Sequence, residues 1–293
     1  MDKHQFRLVK STSTARYLPN FILAPIMAVV FVIAGSIAGL IPIKLLAGFF
    51  KNPSLSMTFF LISTYSFVIL LTFLWIKLVE KRPFKSIGFF SDDFIMAYLK
   101  GFVIGVFLFS ATMLVLFASG QAGLSTHPKT TVGIAAIPSI LILLIGWIVQ
   151  GAGEEIVTRG WLMNVLSARY NLPLGVILSS TLFGLMHLLN DHVSFLAILN
   201  IILVGFFFSL YALKTDNLWG VCGVHTSWNW AQGNLYGLEV SGNSIRGGSL
   251  FQTDLLGSDL FTGGAFGPEA GLAATIILVL AIGWLAYGFL KGR

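Results

Sequence analysis

The chain has 293 residues, of which 56% are hydrophobic and 10% charged, and its mean hydropathy is +0.87. A soluble domain carries about 25% charged residues, so this chain cannot cover a water-facing surface of its own size, and its solvent is a bilayer. The net charge of +6 comes from 18 Lys and Arg scattered between apolar runs without a basic stripe, which argues against a nucleic-acid partner.

The first sixteen residues carry Lys3, Arg7, Lys10 and Arg16. The apolar run that follows is too long for a signal-peptide core of about 7–15 residues, and no small-residue cleavage site closes it. It reads as an anchor that stays. Further uncharged runs follow, and spanning hydrocarbon takes about 20 apolar residues. Helices are predicted over 21–43, 56–77, 97–118, 134–154, 174–190, 194–213, 218–236 and 270–290. The long apolar runs lack strict alternation, which excludes a β-barrel, and backbone groups in lipid must pair within each segment. The expected fold is all-α: a polytopic membrane bundle of about eight transmembrane helices in one domain, 1–293, with a catalytic core at about 134–236. The stretch from Glu239 to Glu269, rich in Gly and Ser, reads as a flexible outer loop, although it can fold back onto the bundle. Cys222 is a lone cysteine in an apolar stretch and reads as a packing residue.

Basic residues in short loops set orientation. With the N-terminus inside, inner segments hold twelve: Lys3, Arg7, Lys10, Arg16, Lys77, Lys81, Arg82, Lys85, Arg169, Lys214, Lys291 and Arg293. Outer loops hold four: Lys44, Lys51, Lys129 and Arg246. Both termini are therefore expected in the cytoplasm.

Ionisable residues inside apolar runs are costly and mark functional sites by default. Here they are Glu154, Glu155, Arg159, His187 and His225. His192 lies near a predicted loop, and Lys100 can snorkel from a helix end. Glu155 and Arg159 are i and i+4, so they share a helix face and can pair. Glu154 is turned about 100° away and is left for other work. An unpaired carboxylate in a low-dielectric setting suits a general base. Three solvated interfacial charges are an equally good reading of this motif alone. Phe183 and His187 share a face, and the ring can support the imidazole. His225 and Asn229 are again i and i+4, and two converging donors make an oxyanion hole or a pair of interhelical hydrogen bonds. Counting helical rise from the turn at Asn171-Leu172-Pro173 brings Glu154 and His187 to similar depth if helix persists through Ala168. His225 reaches that depth only with a tilt or a kink near Gly220 and Gly223.

The ordered motifs Glu-Glu-x-x-x-Arg, Phe-x-x-x-His and His-x-x-x-Asn resemble the CPBP family. These are the CAAX proteases and bacteriocin-processing enzymes, also called type II CAAX prenyl endopeptidases or the Abi family. The resemblance covers about 150–235, and the segment Thr262 to Glu269 looks like the one preceding the last helix in bacterial members. It implies hydrolysis of a peptide bond in a membrane-associated peptide or protein. Glu154 with His187 would activate a water, His225 and Asn229 would stabilise the oxyanion, and Glu155, Arg159 and Phe183 would support them. The family is often labelled a metalloprotease, and Glu154, His187 and His225 can form a zinc site with an open fourth position. Asn229 is a poor zinc ligand, however, and such a site leaves no base except Glu155, which is better engaged by Arg159. A metal-free, glutamate-dependent site is the preferred expectation, with no cofactor. The rival reading is a non-catalytic peptide-binding scaffold or bacteriocin immunity protein. A transporter is weaker, because no inverted repeat is evident. The compact chain looks bacterial, so its expected place is the bacterial cell membrane.

Overall fold

Long apolar runs without water to satisfy their backbones fold as helices, and they do so here. The computed structural model describes residues 5–90, 93–128 and 130–291. Lys3, Lys129 and Arg293, counted in the charge bias, lie outside the described residues. A short helix α1 (Arg7–Thr12) precedes α2 (Leu23–Leu46) and α3 (Pro53–Trp75), which widens into a π turn at Ile76–Glu80. Then come α4 (Phe94–Ala118) and α5 (Ile137–Glu155). A π-helical segment, Ile156–Met163, joins α5 to α6 (Asn164–Arg169), so that helix is continuous to Arg169. The remaining helices are α7 (Leu172–Leu185), α8 (Phe195–Thr215), α9 (Trp219–Trp230), the single turn α10 (Asp259–Thr262) and α11 (Leu272–Leu290).

Among the described residues, six helices are long and apolar enough to cross a membrane: Leu23–Leu46, Pro53–Glu80, Phe94–Ala118, Gly133–Arg169, Phe195–Thr215 and Leu272–Leu290. The chain is an integral membrane protein built as a helical bundle. The other two predicted spans come out short. The helix expected over 174–190 is α7, of 14 residues, and that expected over 218–236 is α9, of 12 residues. α7 stops before the polar turn at Asn190, Asp191 and His192, where His192 takes a left-handed backbone. α9 widens into a π turn at Ala231–Leu235, where Gln232, Gly233 and Asn234 interrupt the apolar pattern.

Two expectations need correction. Depth at His225 is reached without a kink, because α9 is one continuous helix that begins inside the protein. Leu218 at its start is fully buried, and its N–H donates to Gly88 O at 3.0 Å. Helix α1 and the turn Phe84–Ile87 plug this end, with Leu8 and Ile87 fully buried. The polar stretch after α9 is folded back rather than loose. A small antiparallel ribbon, β1 (Ala122–Leu124) with β2 (Thr253–Leu255), ties it to the end of α4, and Phe266 within it is buried.

Arg82, counted among the basic residues of the inner segments, is buried. Its Nε donates to Glu80 Oε2 at 2.5 Å, and Nη1 reaches Thr12 and Ser86. Trp75 and Trp161 donate to the other Glu80 oxygen, at 2.9 and 2.6 Å. This cluster pins α1, α3 and the helix after α5 together.

Helix α9 is the axle of the bundle, buried from Gly220 to Asn229 and packed against α4, α5 and α8. Its approach to α4 depends on glycine. A Cβ on Gly101 would overlap Gly220 O, and one on Gly223 would overlap Tyr98 O. Small residues let membrane helices come this close. Gly223→Val is therefore expected to destabilise the bundle by about 1–3 kcal/mol through overpacking, read as a lowered thermal midpoint in detergent.

Candidate active site

The three motifs meet at one cavity of about 450 Å³, lined by Glu154, His187, His225 and Asn229 among mostly apolar neighbours. The continuous helix through Arg169 carries Glu154 to this depth, and His187 lies just past the end of α7. Both halves of the third motif come from α9.

Glu155 is fully buried and makes two contacts through one oxygen. Oε1 accepts from Arg159 Nη1 at 3.1 Å and from His225 Nδ1 at 2.7 Å. The i,i+4 pairing with Arg159 is as the helix face requires, and the bond to His225 is an addition. An ionised carboxylate can only accept, so Nδ1 of His225 carries the proton. Its Nε2 then faces Glu154, 3.7 Å from Oε2. Arg159 is sealed from solvent, bonds Thr158 Oγ1 at 2.7 Å, and lies over the ring of Phe183, 4.1 Å from its centroid.

Phe183 joins the motifs. Its carbonyl pairs with His187 Nδ1 at 2.8 Å, and its ring meets His187 edge-on at 5.1 Å and His225 edge-on at 6.0 Å. Phe208 covers the other side of His225 at 5.1 Å. Edge-to-face packing of this kind fixes ring planes.

Glu154 is oriented through Oε1, which accepts from Tyr65 O–H and Gln150 Nε2, each at 2.7 Å. Gln150 also uses its carbonyl oxygen to accept from Asn229 Nδ2 at 3.0 Å. One amide therefore spans the carboxylate and the asparagine. Gln150 is one helical turn before Glu154 on α5, so a search for buried polar side chains at i−4, rather than ionisable ones, would have found it. Tyr65, on α3, has no local sequence signal.

The folded-back segment closes the cavity with Glu269. Its Oε1 accepts from Ser241 N–H at 2.5 Å, Ser241 Oγ at 3.1 Å and Gln232 Nε2 at 3.1 Å. Ser241 has a left-handed backbone, φ 49°, and Gly242 follows at φ 79°, where a Cβ would strike Asp191 O. Burial raises the Glu269 carboxyl above the usual carboxylate range, opposed by the Ser241 hydrogen bonds, the nearby His187 and Gln232.

Among the described residues, no group of three or more His, Cys, Asp or Glu is gathered to hold a metal ion. Nδ1 of His225 is engaged by Glu155 and Nδ1 of His187 by a carbonyl, so Nε2 is the remaining nitrogen of each ring.

With the geometry in hand, residues 136–231 match the family model described as Rce1-like, type II CAAX prenyl endopeptidase Rce1-like. Over that segment the chain is similar to the CAAX-protease family. The matched segment is about a third of the chain and runs from the start of α5 through α9, which contains Glu154, His187, His225 and Asn229. That description names a family of endopeptidases. No curated protein matches the chain.

Removing one partner of a buried ion pair leaves the other charge uncompensated, at a cost of about 3–5 kcal/mol. Glu155→Ala strips both Arg159 and His225. It is expected to lower the thermal midpoint sharply, whereas Asn229→Ala, which leaves no charge behind, is expected to shift it far less.

Proposed function

We propose that the protein is an intramembrane endopeptidase that hydrolyses a peptide bond of a membrane-associated peptide or protein. It would act with a glutamate-activated water and a His/Asn oxyanion hole. The observation that carries this reading is the orientation of Glu154. Tyr65 and Gln150 hold Oε1, which leaves Oε2 directed toward the cavity and His225. A carboxylate fixed by one oxygen and open at the other is arranged as a general base.

In this mechanism a water donates to Glu154 Oε2 and is oriented by the ring of His187. Attack on the carbonyl carbon transfers the water proton to Glu154 and builds charge on the carbonyl oxygen. Asn229 has one amide hydrogen on Gln150 and a second free for that oxygen. His225 offers Nε2–H when both ring nitrogens are protonated, with Nδ1–H held by Glu155. Preorganised donors of this kind supply much of the stabilisation in acyl transfer. Collapse of the tetrahedral intermediate breaks the C–N bond, and Glu154 returns the proton to the leaving amine. No step is routed through a metal.

The charge bias of the loops supports cytoplasmic termini. Glu154 stands fifteen residues before Arg169, which is about 22 Å of helix. The chemistry would then lie well inside the bilayer, in a multi-pass protein of the bacterial cell membrane. A non-catalytic scaffold remains the second reading, since the same cavity can hold a peptide without cutting it.

Glu154→Gln is expected to lower turnover by about 10²–10⁴-fold while the protein folds and inserts normally. Mass spectrometry of a membrane-associated peptide incubated with both forms measures it, and equal cleavage by the variant would overturn the assignment. Gln150→Leu is expected to reduce kcat by roughly 10- to 100-fold, as loss of an orienting outer partner does elsewhere, with KM little changed. Cleavage is expected to survive chelation of the purified protein. Loss of activity restored by added zinc would sink the metal-free mechanism.

A further inference from the structure

The cavity carries a second carboxylate that the proposed chemistry does not use. Glu269 is 5% exposed and reaches the cavity from the segment before α11, far in sequence from the motif residues. Its two oxygens differ. Oε1 takes all three hydrogen bonds, from Ser241 N–H, Ser241 Oγ and Gln232 Nε2. Oε2 takes none among the described residues, yet it is not one of the sealed, unpartnered oxygens, so it retains open surface. Neither cavity imidazole is hydrogen-bonded to it: Nδ1 of His187 is held by Phe183 O and Nδ1 of His225 by Glu155. No Lys or Arg stands among the described residues that line the cavity.

We propose that Glu269 Oε2 is a substrate-recognition point for a cationic group, the ammonium or guanidinium of a lysine, arginine or free N-terminus near the bond to be cut. This rests on the cavity being the peptide site described above and adds a charge preference to it. The carboxyl is mostly buried with one oxygen open and unpartnered, so a donor arriving with the substrate supplies the partner it lacks. A charge-assisted hydrogen bond in a cavity lined mostly by apolar residues is strong and directional. The same oxygen repels an acidic side chain, and a site that attracts one charge while repelling the other gains specificity both ways. The bonds to Oε1 fix the carboxyl in place, so the cation meets a preset acceptor.

The test separates this subsite from the catalytic reading. Binding is measured in nanodiscs with the Glu154→Gln variant, which removes both cleavage and the other cavity carboxylate. The probes are fluorescent apolar peptides, blocked at both ends, carrying one lysine, its acetylated counterpart, or glutamate at the same position. The lysine peptide is expected to bind about tenfold or more tightly than the acetylated one, with the glutamate peptide weakest. Adding Glu269→Gln keeps an acceptor at Oε1 and is expected to abolish the lysine advantage while the acetylated peptide binds as before. Equal binding of the three probes, or a lysine advantage that survives Glu269→Gln, overturns the subsite and leaves the peptide cavity standing. Binding of no probe overturns the peptide reading together with the subsite. The peptide series with Glu269 intact is decisive even if the double variant fails to fold.

Discussion

A charge placed in an apolar bundle must bring its own partners, and Glu155 shows how far that requirement reaches. Its single shared oxygen ties Arg159 on the same helix to His225 on another. Arg159 in turn lies against Phe183, whose carbonyl and ring hold His187. Three helices are thereby locked around one ionic contact. Desolvation makes each link costly to break, and the same links decide which ring nitrogen of each histidine faces the cavity. Stability and preorganisation are the same set of contacts here.

Glu154 is the exception that this scaffold permits. The arginine on its helix pairs with Glu155 instead, and neutral donors hold one of its oxygens. Neutral donors orient a carboxylate without pairing its charge, so the group is fixed and still able to take a proton. The bridge from Glu154 through Gln150 to Asn229 carries the orientation across from α5 to α9.

The helix-face rule separated Glu154 from Glu155, because i,i+4 spacing is a local property that any sequence displays. Helical rise brought Glu154 and His187 to a common depth for the same reason. What was not legible came from packing between distant segments. The bond between Glu155 and His225 joins positions 70 residues apart, and nothing in either motif announces it. Tyr65 is an ordinary aromatic in an apolar run until α3 is laid against α5. Glu269 sits in a stretch whose glycines and serines suggest a loose loop. The stretch is ordered instead by the ribbon, by the burial of Phe266 and by the left-handed turn at Ser241 and Gly242. A kink near Gly220 and Gly223 is one way to bring His225 to depth when counting starts from a loop; α9 is instead a continuous helix that starts at the buried Leu218.

The shortness of α7 has a consequence for the lipid around it. Fourteen residues make about 21 Å of helix, against about 30 Å of hydrocarbon. The shortfall falls at the end that carries His187, where Leu188, Leu189 and Phe195 are exposed and apolar. A bilayer meets a short helix by thinning or by covering apolar flanking residues with acyl chains. Hydrophobic mismatch at this one helix would draw a leaflet toward the rim of the cavity. Bilayer thickness becomes a physical variable of the site: thicker membranes strain the rim, and thinner ones relax it.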